Sequence, residues 1–383
     1  MRVDYLVVGS GLTGATIARH LSDAGREVLV IERRAELGGN VHDYRHPSGI
    51  RVHTYGPHYF RTNSEEIWRY VRRFGSFYTY EPALKSLVDG SYENWPVAAS
   101  YIRRTVGANW VPDFCGTPAN FEEASLAKMP RLIYEKFVKG YTEKQWGVSA
   151  TALSPSLARR FDVREDDEPR LMRHKYQAIP QDGYVALMRQ MLNAIPVIFN
   201  HDYLRDRKAI TPGKMLVYTG PIDEYYGYDL GRLQYRSQRR EILHFPDVDS
   251  LQPCGQVNNP SNQNGPHIRT LEWKHMMAPE CQRFIRGTVV TRETPYTPSN
   301  PDEYEYPFPD GTNARLYRAY ASRAVKERNL LVCGRLGEYR YFDMDQAIGR
   351  AIQISRRILA SNGGCVETVG QDNDVCDFRA QSS

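Results

Sequence analysis

The chain opens on a short apolar run, Tyr5 to Val8, which ends in Gly9-Ser10-Gly11-Leu12-Thr13-Gly14 and passes into a helical pattern from Ala15 to Leu21. An apolar β-prone run, then glycines, then a helix predicts the first strand–turn–helix unit of a parallel sheet. Glu27 to Ile31 predicts a second strand, and Glu32 follows it at once. Ser64 to Phe74 predicts a helix: Ser64 caps it, Glu65 and Glu66 sit in the first turn, and Ile67, Tyr70, Val71 and Phe74 share a face. Phe77 to Pro96 alternates and is rich in turns, with Asp89-Gly90 as a hairpin signal.

From Val97 to about Arg160 the period becomes helical, in short pieces at Ala98 to Val106, Phe121 to Ala127 and Leu132 to Lys139. They predict a small helical insertion. The stretch to Trp146, with a glycine, a tyrosine and charges near a helix end, reads as a pocket-rim loop. Ser154 to His174 is charged and broken by prolines, and two readings stand: a solvated loop, or a mobile lid that brings an arginine to a phosphate. Helix Val185 to Leu192 and strands Val197 to Phe199 and Met215 to Tyr218 return the chain to the first sheet. Leu233 to Phe245, Ile268 to Trp273 and Thr288 to Thr291 read as strands of an antiparallel domain, flanked by loops at Gln252 to Pro266 and Thr294 to Gly311. Leu330 to Arg335 is a final strand ending in glycine. Helix Gln346 to Leu359 follows, with Ile348, Ala351, Ile352, Ser355 and Leu359 on its apolar face.

Length and composition narrow this picture. At 383 residues the chain exceeds one compact core, so two or three domains are expected. No run of about 18 apolar residues is present, so no membrane span is expected. Met1 to Asp4 runs straight into the first strand, which predicts no signal peptide and a cytoplasmic protein. The six cysteines show no C-x-x-C and no metal-ligand spacing, so reduced thiols and no metal are expected. A net charge of +5 suits an anionic small substrate and is too dispersed for nucleic acid. The 26 tyrosines suit recognition of sugars and bases, although many must simply pack.

The glycines carry the first chemistry. Gly9 permits the turn, Gly11 lets backbone N–H groups approach a pyrophosphate, and Gly14 lets helix and sheet pack closely. Leu12 and Thr13 complete that loop. Glu32, 21 residues after Gly11, stands where a carboxylate grips a ribose hydroxyl. Arg33 follows it, and Leu37-Gly38-Gly39-Asn40 places a second Gly-Gly just beyond. In this the chain resembles FAD proteins of the glutathione-reductase type. The expected fold is α/β: a discontinuous Rossmann-like FAD-binding domain (1–76, 176–222 and 316–360), a helical insertion (97–160), and an antiparallel sheet domain with a lid (77–96, 161–175 and 223–315). A loose tail is expected at 361–383.

A wider resemblance rests on VGSGLTGA, VLVIERR, LGGN, YGPHYF, KGYTEKQWG at Lys139 to Gly147, YTGPID at Tyr218 to Asp223 and GRLGEYRYFDMDQAI at Gly334 to Ile348. Over about residues 1–360 the chain resembles the UDP-galactopyranose mutase family. That resemblance implies a redox-neutral isomerisation that requires reduced FAD: the flavin N5 attacks the anomeric carbon of a nucleotide-diphosphate sugar, and pyranose becomes furanose. It also implies a homodimer. Among catalytic positions it implies a lid arginine at Arg160, a fixed arginine at Arg269, phosphate-binding tyrosines at Tyr306 and Tyr341, and His58 at the flavin. It places Phe137 and Tyr141 at the base, Trp146 near the sugar, and Arg335, Asp343 and Met344 at the cofactor with Gly39 and Asn40.

The lid departs from the family's pattern. Leu171 and Met172 stand where the family has a Tyr-Phe pair, and Arg61 where it often has a second histidine. Leu171 cannot donate the hydrogen bond of a phenol. Four readings stand: UDP-galactopyranose as substrate; another nucleotide sugar, TDP- or GDP-linked, deoxy or amino; on the same scaffold, an amine-oxidase-like oxidoreductase; and a non-catalytic FAD- or nucleotide-binding protein.

Overall fold

A computed structural model describes residues 2–161 and 163–361, without the side chain of Arg160. The expected loose tail lies outside the described residues from position 362 on.

The first apolar run becomes the centre of a five-stranded parallel sheet. Its strands lie in the order Val197–Ile198, Val28–Ile31, Arg2–Val8, Thr211–Tyr218 and Leu330–Val332. Val7 sits in register with Val30 on one side and Val217 on the other. Strands covered on both faces need apolar residues at successive positions, which is why these runs do not alternate. On one face helices Leu12–Asp23, Tyr184–Met191 and Met344–Ala360 close a core around Val7, Val30 and Val217 with Ile17, Leu21 and Ile352. On the other, Leu6, Leu29 and Leu216 pack against Ile222, Tyr235 and Tyr320. The α/β, Rossmann-like arrangement expected from the sequence is the one adopted.

A second sheet runs in the order Tyr306–Pro307, Tyr235–Phe245, Thr288–Tyr296, Arg269–Glu272, Gln256–Asn258, Leu84–Val88 and Ser91–Trp95. It is antiparallel except that Gln256–Asn258 runs parallel to Leu84–Val88. Parallel neighbours require a long crossover, and here everything between residues 88 and 256 supplies it. Strand Gln256–Asn258 lies inside a stretch read as loop. Strand Thr288–Tyr296 runs on into another.

One further expectation is corrected, and one helix is new. Lys139 to Trp146 is not a rim loop. A π-helical turn, Tyr134–Lys139, leads into helix Gly140–Trp146, which ends at Gly147 in the left-handed region, φ +71°. A glycine at that position is the usual helix stop. Helix Gly311–Ala324 was not expected at all. Asp310 caps it by accepting from the Asn313 N–H, but only Asn313, Tyr320 and Ala324 are buried, so no apolar stripe announces it.

The charged stretch from Arg164 to Arg173 is exposed at Glu165, Asp166, Asp167, Pro169 and Arg173, yet it is pinned by hydrogen bonds and ion pairs. Arg164 is 8% exposed and donates to the carbonyls of Glu168 and Leu171 at 2.6 and 3.1 Å. Arg170 bridges Glu168 and Glu81. The Asp166 carbonyl and the Asp167 carboxylate accept from the N–H groups of Ala99 and Ser100, which open helix Ala99–Thr105. Of the thiols, Cys115 and Cys281 are exposed and Cys333 is buried, and all three are free, as is Cys254. Among the described residues no helix is long and apolar enough to cross a membrane.

Gly140 tests the packing of the insertion on the second sheet. A Cβ there would lie 2.1 Å from the Pro260 carbonyl oxygen. In an open helix Gly→Ala gains about 1 kcal/mol. Here Gly140→Ala is expected to lower stability instead, by about 1–3 kcal/mol, read as a lower urea midpoint. A raised midpoint would show that the contact is not tight.

Candidate active site

The glycine turn builds the first part of the site. A Cβ on Gly14 would lie 2.0 Å from the Gly9 carbonyl oxygen, so no larger residue lets the helix start so close to the strand. Gly11 is the N-cap of helix Leu12–Asp23 and offers no side-chain cap. Uncapped first-turn N–H groups are a ready anion site. Gly11 and Gly38 form a β-bridge, and a Cβ on Gly39 would lie 3.1 Å from the Gly11 Cα. The second Gly-Gly thus closes over the first, bounding a cavity of about 1140 Å³.

Glu32 and His201 line this cavity. The Glu32 carboxylate accepts from the Ser10 N–H and hydroxyl at 2.9 and 2.8 Å and from the Arg34 N–H at 2.9 Å. A carboxylate has about four acceptor positions, so one remains for a ligand. His201 Nε2 is buried and has no partner. Such an atom is costly unless a ligand satisfies it. Arg33 also lines the cavity, but its guanidinium is held by Glu224 and Asp302.

A second cavity, of about 630 Å³, shares Asn40, His58, Arg335 and Met344 with the first. Its far wall holds Arg269, Tyr306, Tyr341, Arg61 and Asp343. Arg269 and Glu293 are cross-strand neighbours, and the Arg269 Nε donates to the Glu293 carboxylate. The other Glu293 oxygen accepts from Arg240 Nε at 2.8 Å, and Arg240 forks onto Glu305 at 2.7 and 2.8 Å. Glu293 is 0% and Glu305 3% exposed, so both carboxylates sit out of water, held by guanidinium groups that are themselves largely covered. Burial opposes the charge on Glu293, but Arg269 and Arg240 hold its pKa below the usual range. Burial likewise opposes the charge on Arg269, and Glu293 outweighs it, so the guanidinium stays cationic.

The rings of Tyr306 and Tyr341 stack, with centroids 6.1 Å apart and planes 10° apart. Burial pushes the Tyr306 phenol up to about 12, so at neutral pH it remains an O–H donor. Arg335 lies over the Tyr341 ring at 4.7 Å and donates to the Phe342 carbonyl at 2.8 Å. Asp343 caps helix Met344–Ala360 in a capping box with Gln346 and pairs with Arg61 at 2.9 Å. Met344 therefore stands at a helix start where the two cavities meet.

His58 lines both cavities. Its Nδ1 lies 2.7 Å from the Gly56 carbonyl oxygen, which can only accept, so the proton sits on Nδ1 and Nε2 keeps its lone pair. Its backbone N–H donates to His53 Nδ1 at 3.0 Å. Burial, then His53 and Arg335, hold the His58 pKa well below its ordinary value, so the imidazole is neutral.

Other expected positions fall elsewhere. Phe137 is 2% exposed and packs on Trp95 and Tyr101 within the insertion. Trp146 is buried edge-on against Phe308. Leu171 packs with the cluster around Trp273, and the Met172 carbonyl accepts from Gln177. None of these four lines either cavity, because the ion-paired turn and the insertion's own core hold them. Tyr141 is half-buried on helix Gly140–Trp146 and lines neither cavity. The expected role of Arg160 lies outside the described residues.

The sequence reading missed Glu293, Arg240, Glu305 and His201. The first three are charges within or beside strands, which read there as solvent-facing. His201 follows a parallel strand, at the carboxyl end where ligands collect in such sheets.

With this geometry in view, comparison with known proteins adds the following. The family described as UDP-galactopyranose mutase matches residues 136–341, and a Rossmann-like NAD(P)-binding domain matches residues 7–74. The chain is 32% identical to a dTDP-fucopyranose mutase of Escherichia coli, over 93% of this chain and 98% of that one. It is 31% identical to a probable UDP-galactopyranose mutase of Klebsiella pneumoniae, over 94% and 95%. Its fold matches a crystal structure of reduced UDP-galactopyranose mutase with a TM-score of 0.71 at 15% identity, covering 94% of each chain.

His53 supplies a pH test. It is 3% exposed, and burial pushes its pKa down to about 4. The unfolded chain, with a value near 6.5, then binds the proton more readily, so this contribution is complete above that pH and fades as pH falls toward 4. The loss is about 3 kcal/mol. Between pH 7 and 4.5 the urea midpoint of wild type is expected to fall more steeply than that of His53→Gln. Parallel pH profiles would show that His53 is not the titrating group.

Proposed function

Because the chain belongs to the UDP-galactopyranose mutase family, we propose that it interconverts the pyranose and furanose forms of a nucleotide-diphosphate sugar with reduced FAD as cofactor. The carrying observation is the wall of Arg269, Tyr306 and Tyr341 across from residues that also line the dinucleotide cavity.

The residues present fit FAD. The Gly11–Gly39 cradle and the uncapped helix start suit a pyrophosphate. The remaining Glu32 acceptor position suits a ribose hydroxyl, and the unpartnered His201 nitrogen suits the adenosine end. Asn40, His58, Arg335 and Met344, shared by both cavities, are the positions for the flavin end. When bound in its reduced form, the flavin supplies a nucleophilic N5 for the anomeric carbon.

The chain's own residues hold and charge-balance the substrate. Arg269, kept cationic by Glu293, stabilises negative charge as it develops on the departing diphosphate. Tyr306 donates its phenolic hydrogen to the same group, and Tyr341 stacked beside it fixes the ring. Arg160 is the second arginine of this clamp. By the family resemblance, Tyr141 is the residue for the nucleotide base. His58 stays neutral, so it adds no positive charge and offers Nε2 as an acceptor. UDP-galactopyranose is the first candidate substrate. The comparable likeness to a dTDP-fucopyranose mutase makes a dTDP-linked deoxy sugar the second. An oxidase acting on a cationic amine fits the buried arginines poorly.

The test is a panel of UDP-, dTDP- and GDP-linked sugars given to dithionite-reduced protein, with products separated by chromatography. Pyranose-to-furanose conversion only in the reduced state is expected. Flavin reduction by an amine or alcohol, without any conversion, would move the assignment to an oxidase. Arg269→Ala and Arg160→Ala are each expected to lower turnover by about 100- to 1000-fold while flavin is retained. Full turnover in either removes that residue from the clamp.

A further inference from the structure

Among the described residues Lys144 makes no ion pair of the ordinary kind. It projects from helix Gly140–Trp146 into the loop between strands Gln256–Asn258 and Arg269–Glu272. There its Nζ donates to the backbone carbonyls of Asn259, Ser261, Gly265 and His267 at 3.0, 2.6, 3.0 and 3.1 Å. An ammonium has three N–H donors, so four carbonyls surround it and share them. Backbone carbonyls arranged around a cation are how proteins replace its hydration shell. Here the cation is tethered to another part of the chain.

The loop is shaped around this group. Asn259 Nδ2 donates to the carbonyls of Asn264 and His267 at 3.2 and 3.0 Å, which holds the two ends of the loop together. Gly140, one turn before Lys144 on the same helix, meets the Pro260 carbonyl with no room for a Cβ. At the helix C-terminus Arg236 donates to the carbonyls of Gln145 and Lys144 at 2.7 and 3.1 Å, a capping arrangement that suits a cation. Lys144 thus joins the helix to the loop, and Arg236 joins the helix to strand Tyr235–Phe245, through bonds that hydrophobic packing alone would not direct.

What the joint connects is the site. Two residues beyond the caged His267 carbonyl comes Arg269, and three residues before Lys144 comes Tyr141. We propose that Lys144 is a positioning residue: its ammonium fills a backbone carbonyl cage, and that occupancy fixes the loop that leads into Arg269 against the helix that carries Tyr141. The consequence for turnover rests on the mutase reading above, whereas the consequence for the loop does not.

An open cleft lined by Lys144, Arg236, Asn262, Gly265 and Pro266 leads to the cage. Lys144→Ala therefore leaves a space into which propylammonium, the missing part of the side chain, can enter. In flavin-loaded Lys144→Ala, backbone amide exchange across residues 259–269 is expected to rise about tenfold. Turnover is expected to fall by about 10- to 100-fold. Propylammonium should reverse both changes, and its trimethylated analogue, which lacks N–H donors, should reverse neither. Wild-type exchange in the variant, or losses that propylammonium does not restore, would overturn the proposal. A wild-type protein that converts no nucleotide sugar, while the exchange result holds, would sink the mutase reading and leave the cage standing. If Lys144→Ala does not fold, Lys144→Met keeps the stem without the charge. Unchanged exchange in it overturns the proposal, and faster exchange that propylammonium leaves unaltered supports it, because the stem then blocks the cage.

Discussion

Arg269, Glu293, Arg240 and Glu305 form an alternating row of charges that the rest of the site depends on. Taking ions out of water costs several kcal/mol each, and only good geometry and complete hydrogen bonding offset that cost. The second sheet supplies both. Cross-strand register puts Arg269 opposite Glu293, Arg240 bridges two carboxylates, and Ser237 donates to Glu305 at 2.9 Å. Removing any member would strand a buried charge. The row therefore fixes the relative positions of three strands and delivers one guanidinium to a cavity wall.

That wall is useful only because the parallel sheet presents its ligand-binding end to it. The glycine turn, the end of strand Leu330–Val332 and the start of helix Met344–Ala360 all contribute to the first cavity, and Arg335 and Met344 belong to both. The Tyr184 hydroxyl donates to the His58 carbonyl at 3.0 Å, and the Tyr184 N–H donates to the Asp43 carboxylate at 2.8 Å. His58 is thereby tied to the helix side of the first domain while its ring faces the second. The two sheets, each with its own apolar cluster, meet at a seam that carries these polar contacts.

The insertion adds a different kind of restraint. Its interior is aromatic and apolar, with Phe121, Ile133, Phe137 and Val138 almost wholly buried. Its attachment to the second sheet is instead polar and backbone-directed, through Lys144, Arg236 and the absence of a side chain at Gly140. Such contacts specify one docking geometry, where apolar faces tolerate sliding.

The sequence by itself determined the parallel sheet, its glycine turn, the acid at Glu32 and the late helix after Leu330–Val332. Each is a local matter: a strand covered on both faces demands consecutive apolar residues, and a turn packed against its own strand demands glycine. Arg269, Tyr306 and Tyr341 were legible as candidates through motif resemblance, not through their pattern. Only the tertiary structure decided what surrounds them. Glu293, Arg240 and Glu305 look like solvent-facing residues until three strands bring them together, because burial of a charge depends on partners distant in sequence. The helix Gly140–Trp146 looked like a loop because its stabilising contacts come from Pro260 and the carbonyls that follow it. Leu171 and Met172 stand at positions that the resemblance gives to the substrate, but Arg164, donating to backbone carbonyls, and the ion pairs of Arg170 hold their segment elsewhere.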